Sequence, residues 1–306
     1  MPAIVTLTTD FGGRDAYVAE MKGVVLGIAA RAGVSVQLVD VTHEVERHDV
    51  AEAALALEAA APFFPAGTVH VAVVDPGVGT ERRGLVVAAG GQLFVGPDNG
   101  IFTPHFEAPG WRAWALEAAE YRLPAVSRTF HGRDVFAPGA AHLACGVDPA
   151  RLGPAVADPV RLPWPEAREV AGGVAGTVLH VDRFGNLISS IHAESILPLG
   201  AAAVVRVGGR AVARAGTYAD LPPGTAGALI GSGGRLEIAV REGSAAAALG
   251  ARRGTPVVVS RTVSRGSPSP SGNPRGPSGA SARPRTRVES RARASSSRRR
   301  TRGRPE

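Results

Sequence analysis

Apolar residues follow two different rhythms along this chain, and the change comes near residue 160. In the first part, β-branched runs alternate with stretches of helical spacing. Residues 3–8 (A-I-V-T-L-T) predict a first strand, ending at Thr9-Asp10-Phe11-Gly12-Gly13. A helix is predicted from near Asp15, where Tyr17, Met21, Val24, Val25 and Ile28 share one face. V-S-V-Q-L-V-D-V predicts a second strand ending near Asp40, and residues 49–61 an Ala-rich helix with Asp49 as N-cap. V-H-V-A-V-V then predicts a strand that stops at Asp75. Strands over G-L-V-V-A-A and Q-L-F-V-G-P follow, then a loop feeding a helix between Thr129 and Gly146. Strands alternating with helices predict an α/β domain whose mainly parallel sheet is covered on both faces. The Val-rich run before Asp75 suits a strand buried on both sides.

Beyond residue 160 the helical spacing disappears. R-L-P-W-P-E-A-R-E-V-A-G-G, residues 161–173, predicts a linker from its Pro and Gly content. Short β runs then recur between turns (G-T-V-L-H-V-D, A-A-V-V-R-V, A-L-I-G-S, R-L-E-I-A-V, T-P-V-V-V-S), which predicts a small β-barrel or sandwich. The organisation read from this is an α/β domain over 1–162, a smaller β-barrel-like domain over 172–260 and a tail over 261–306.

Charge sharpens the third part. The chain carries a formal +7, yet the tail holds 13 Arg against two Glu, so the remaining 260 residues are mildly acidic. With almost no apolar residues, the tail is expected to be disordered. Its basic charge suits non-specific electrostatic contact with nucleic acid, but it lacks aromatics for base stacking. The 306 residues contain no apolar run near the ~20 needed for a membrane span, and M-P-A-I-V-T-L does not resemble a signal peptide. The single cysteine, Cys145, excludes an internal disulfide and a cysteine zinc site, and is expected to be a small core residue. A cytoplasmic protein is the expectation. The eight histidines show no H-x-H or H-E-x-x-H spacing, and no G-x-G-x-x-G follows the first strand, so metal and dinucleotide sites find no motif.

Candidate chemistry gathers at strand ends. Asp10, Asp75 and Asp98 each precede Gly-rich or turn sequence. In V-V-D-P-G-V-G-T-E-R-R an arginine follows the carboxylate by seven residues across a glycine loop, and T-F-H-G-R-D sets His131 beside Arg133 and Asp134. The second domain offers D-R-F-G-N-L-I-S-S at 182–190 and G-S-G-G-R-L-E-I-A-V-R-E-G-S at 231–244. Each alone has an ordinary structural reading: a turn, a helix cap or a loop histidine.

Taken together and in this order over residues 4–259, T-D-F-G, V-V-D-P-G-V-G-T-E-R-R, V-G-P-D-N-G, T-F-H-G-R-D and D-R-F-G-N-L resemble the S-adenosylmethionine hydrolase (SAM hydroxide adenosyltransferase) family, related to the fluorinases and chlorinases. The resemblance implies an α/β domain joined to a β-barrel-like one and a homotrimer with sites at subunit interfaces. It also implies that water or hydroxide displaces methionine at C5′ of the substrate ribose, with no cofactor. It maps a catalytic set onto Asp75, Arg82 and His131, leaving open which of Asp75 and His131 takes the proton. Arg82 rather than Arg83 rests on motif position alone. By the same resemblance Asp10 accepts the ribose hydroxyls, Phe184 and Asn186 stack on and bond the adenine, and Asp182 holds the methionine ammonium. Ser232 contacts its carboxylate, and backbone at Gly243 faces the base. Asp98 and Asn99 are expected to shape a turn.

Departures matter as well. Fluorinases carry Tyr where this chain has Asp75 and Thr where it has Val78, and a carboxylate there repels halide. Gly233 stands where they have Arg, Glu242 where Asn is expected, and His48 where relatives pack an aromatic. The remaining alternatives are a halogenase using the same pocket and a non-catalytic S-adenosylmethionine or adenosine sensor.

Overall fold

The computed structural model describes residues 2–261, so the tail assigned to 261–306 lies, apart from Arg261, outside the described residues. The first domain runs β1 (Ala3–Thr9), α1 (Tyr17–Arg31), β2 (Val36–Thr42), α2 (Val50–Ala60), β3 (Val69–Val73), β4 (Gly84–Ala89), β5 (Gln92–Pro97), β6 (Arg112–Ala115) and α3 (Ala137–Ala144). Its sheet has the order β2-β1-β3-β5-β4-β6. The first four are parallel, whereas β4 runs antiparallel to both β5 and β6.

Both faces are covered, which is why β3 is buried without a break and apolar at every position except His70. Val69, Val71 and Val73 pack with Met21, Val25 and Ile28 of α1 and with Ala137, Ala140 and Ala141 of α3. Ala72 and Val74 point the other way, into a core with Ala53 and Leu57 of α2, Phe94 and Phe102. Asp49 does cap α2, accepting the Glu52 N–H at 2.9 Å. Tyr17, counted on the apolar stripe of α1, is instead 48% exposed. Cys145 is half-buried, not a core residue, because it ends α3 and does not lie on its packed face.

The second domain holds β7 (Arg168–Val170), β8 (Gly173–Val181), β9 (Leu187–His192), β10 (Val204–Val207), β11 (Arg210–Arg214), β12 (Ala226–Ile230), β13 (Arg235–Val240) and β14 (Pro256–Ser260). Seven of them, β14-β10-β11-β12-β13-β9-β8, form a barrel closed by pairing of β14 with β8. β7 is an outer addition to β8. The segment expected to be linker therefore ends in a strand. Among the described residues no helix is long and apolar enough to cross a membrane.

Candidate active site

The carboxyl ends of β1, β3 and β5 lie side by side, so Asp10, Asp75 and Asp98 leave the sheet at one edge, where open α/β sheets collect ligands. Their fates differ. Asp98 is buried at 5% exposure; one oxygen accepts Arg83 Nε at 2.8 Å and the other the Val160 N–H. Asn99 ties Val74 O to the N–H of Ile101. These two residues hold the loop, as expected.

Asp75 instead meets Arg82. Nε of Arg82 donates to both carboxylate oxygens at 2.9 and 3.1 Å, and Nη2 donates to Oδ2 at 2.5 Å. Side-chain exposure is only 6% for Asp75 and 12% for Arg82, and the guanidinium also lies 5.1 Å from the Phe136 ring centroid. A fork held this way is the strong form of an ion pair. Nη2 of Arg82 further reaches His131 Nδ1 at 2.7 Å. A guanidinium only donates, so Nδ1 is the acceptor and the neutral ring carries its proton on Nε2. Burial, and then the Arg82 charge, push the His131 pKa down and keep the ring neutral at pH 7. Arg83 turns away, to Asp98 and Asp158, so of the two arginines it is Arg82 that meets Asp75 and His131.

Glycine makes the close approach of these loops possible. Gly79 has φ +79°, and a Cβ there would sit 2.4 Å from the Arg128 carbonyl oxygen. The loop bearing Arg82 thus rests directly on the backbone of the loop leading to His131. Asp134 anchors the far side of that loop, accepting the Ser127 N–H at 2.7 Å and Arg133 Nε at 2.6 Å. Arg133 in turn reaches Glu20 at 2.8 Å.

Asp10, Val73, Asp75, Val78 and His131 line one cavity of about 580 Å³, within the usual range for small-molecule sites. Asp10 accepts the His48 N–H at 3.0 Å, and His48 holds the left-handed conformation, φ 65°. Sequence reading missed several of its walls. Phe11, Tyr17 and Phe130 form an edge-to-face trio with centroids 5.2–5.9 Å apart. Ser127, Thr129 and Arg47 also line the cavity. The available signal was aromatics flanking two glycine loops.

The second-domain candidates do not line this cavity within one chain. Asp182 turns the β8–β9 connection, accepting the N–H groups of Phe184 and Asn186 at 2.9 and 2.8 Å and Asn186 Nδ2 at 3.0 Å. Gly185 follows at φ +81°, where a Cβ would collide with Ser244 Oγ. This turn leaves Phe184 77% exposed while Asn186 is buried. Ser232 is exposed and borders a separate cleft of about 680 Å³ with Glu58, Ile188 and Arg235. Gly243 is exposed beside Glu242, whose φ of 59° explains the expectation of Asn there, since Asn tolerates that conformation better.

Comparison with known proteins identifies the family. The profile for the SAM hydroxide adenosyltransferase N-terminal domain matches residues 5–153, and that for the C-terminal domain matches residues 176–258. The (R)-S-adenosyl-L-methionine hydrolase of Thermus thermophilus is 43% identical over 261 residues, covering 83% of this chain and 98% of that protein. A fluorinase from Actinoplanes sp. is 31% identical over 236 residues, 65% of this chain and 76% of that one. The crystal structure of an uncharacterized conserved protein from Thermotoga maritima superposes with a TM-score of 0.78 at 35% identity, over 84% of this chain and all of the other.

Proposed function

The chain belongs to the SAM hydroxide adenosyltransferase family, and on that footing we propose that it hydrolyses S-adenosyl-L-methionine to adenosine and L-methionine. The observation that carries the reading is the Asp75–Arg82–His131 cluster, opening into the cavity that Asp10 also lines. The leaving thioether is neutral, so its departure needs no general acid. What the displacement needs is a nucleophile oriented toward C5′ and a place for its proton.

In this reading Asp75 accepts a hydrogen bond from the attacking water and takes its proton as the C5′–O bond forms and the C5′–S bond breaks. Arg82 holds the carboxylate and stabilises developing hydroxide character. With Nδ1 committed to Arg82, His131 positions water by donating from Nε2, which favours Asp75 as proton acceptor. The carboxylate at this position also opposes halide, favouring hydrolysis over halogenation. Water is the only co-reactant, and the step draws on no cofactor. The hydrolase relatives are named for the (R) sulfonium epimer, and we extend that preference to this chain.

We assign Asp10 to the ribose hydroxyls, with its His48 contact fixing one oxygen. Asp182, Phe184, Asn186, Ser232 and Gly243 are assigned to the base and amino-acid ends, contributed by a neighbouring subunit of a homotrimer. The exposed Phe184 ring and the absence of these residues from the cavity lining support that assignment. A single cysteine fits a reducing, cytoplasmic setting.

Incubation with S-adenosyl-L-methionine in 18O-labelled water tests the reading. Adenosine carrying the label at O5′ is expected, without dependence on chloride or fluoride. Unlabelled adenosine rules out direct displacement by water, and a 5′-halogenated product identifies a halogenase.

A further inference from the structure

Behind Asp10 stands a polar relay that the reaction itself does not use. Thr9, the last residue of β1, is fully buried, and its Oγ1 lies 2.9 Å from His43 Nδ1. Nε2 of His43 lies 3.0 Å from Asp40 Oδ1, and Lys22 Nζ lies 2.6 Å from the other oxygen of Asp40. The His43–Asp40 contact is electrostatic rather than a well-aligned hydrogen bond. A carboxylate 3.0 Å from Nε2 favours the tautomer with its proton there, since the acceptor cannot donate in return. Lys22 and His43 together hold the Asp40 pKa below its ordinary value against the opposing effect of burial.

The direction of the relay follows. With Nε2 protonated, Nδ1 accepts from the Thr9 hydroxyl, and that hydroxyl oxygen in turn accepts the Phe11 N–H at 3.3 Å. The Gly12 N–H also donates to the His43 carbonyl at 2.7 Å. Asp10 sits between Thr9 and Phe11, so both its neighbours are tied through His43. Its own carboxylate is tied to the same β2–α2 loop at His48.

We propose that His43 is a positioning residue for ribose recognition: through the Thr9 hydroxyl it sets the backbone on which Asp10 is presented. Asp40 and Lys22 hold the imidazole in the tautomer this requires. The proposal rests on the reading of Asp10 as the ribose carboxylate, and its test separates the two. Lys22 is the only lysine of the chain, and this contact gives it a role.

Thr9→Val removes the hydroxyl at nearly constant shape; Thr9→Ser restores it. Thr9→Val and His43→Phe are expected to raise KM for S-adenosyl-L-methionine by about tenfold, the effect of one misplaced hydrogen-bonding contact, with kcat changed by less than about threefold. Thr9→Ser is expected to return KM to within about twofold of the parent. The discriminating substrate is the 2′-deoxyribose analogue. It cannot make the full contact with Asp10, so parent and Thr9→Val are expected to share nearly the same KM for it. Equal losses on both substrates, or no rise in KM with the natural one, overturn the proposal. Asp10→Ala is the companion variant. If it raises KM for S-adenosyl-L-methionine and Thr9→Val does not, the relay alone is wrong; if it leaves KM unchanged, the ribose reading falls and the relay with it. Thermal melts of all variants identify any that fail to fold, and His43→Gln replaces His43→Phe in that event.

Discussion

His70 makes the fold sensitive to acid at a position remote from the chemistry. Its ring is fully buried in β3, its Nδ1 is 2.8 Å from Thr6 Oγ1 on β1, and its Nε2 makes no well-aligned hydrogen bond, with Gln92 nearby. Phe94 lies sandwiched between the rings of His70 and His105, with centroids 4.9 and 3.9 Å away. Burial pushes the pKa of His70 from 6.5 down to about 4, with Gln92 opposing, and burial followed by the His70 charge does the same to His105. Both rings are therefore neutral in the folded protein near neutrality. Below pH 6.5 the unfolded chain takes up protons that the folded one refuses, so stability falls as pH drops and levels off only near pH 4. At 1.36 kcal/mol per pH unit, His70 costs about 2 kcal/mol at pH 5 relative to pH 7.5, and about 3 kcal/mol at pH 4. That is a large share of the roughly 5–15 kcal/mol by which a folded domain is stable. The perturbation is the double variant Thr6→Val/His70→Leu, which removes both polar partners and leaves no orphaned hydroxyl. The assay is urea unfolding at pH 7.5 and pH 5.0, followed by tryptophan fluorescence, since Trp114 reports on this domain from β6. The parent is expected to lose about 2 kcal/mol more than the variant between the two pH values. An identical pH dependence in both proteins would refute the reasoning, whatever their absolute stabilities.

Three further outcomes bear on the site. Asp75→Asn is expected to lower the rate of adenosine release ~10²–10⁴-fold with a small change in KM, and a loss below tenfold would remove Asp75 from proton transfer. Because burial and Arg82 depress the His131 pKa, kcat/KM should stay level as pH falls through 6.5 and decline only at lower pH; an acid limb centred at or above 6.5 contradicts the neutral ring acting beside Arg82. Gly79→Ala forces a Cβ against the Arg128 carbonyl at a positive φ. It is expected to cost roughly 1–3 kcal/mol in stability and to reduce activity as well, measured by melting and adenosine release; an unchanged rate would mean that the two loops are not coupled.

Much of this molecule was legible in the residues because local rules govern it. β3 is Val-rich and buried at every position because both faces of the sheet are covered, and Asp49 caps α2 because a short acceptor side chain suits a helix start. The motif set around Asp75, Arg82 and His131 was legible in its order along the chain. Less visible was β7, within the stretch read as linker. All three of its residues are exposed, so no burial imprinted an apolar rhythm on them. The aromatic trio of Phe11, Tyr17 and Phe130 was also hidden, since rings from three separate segments meet only in space.

By itself, then, the sequence determined the main helices and most of the strands, though not β6, β7, β9 or β11, and it determined which reactive side chains sit where β1, β3 and β5 stop. Those features depend on backbone propensity and on a residue's near neighbours. Tertiary structure alone decided that β8 and β14, some eighty residues apart, close the barrel. It also decided between two adjacent arginines, sending Arg82 to Asp75 and His131 while Arg83 turned to Asp98 and Asp158. Consecutive side chains on an extended backbone point to opposite sides, and which side faces the cavity is set by the sheet and loops packed around them.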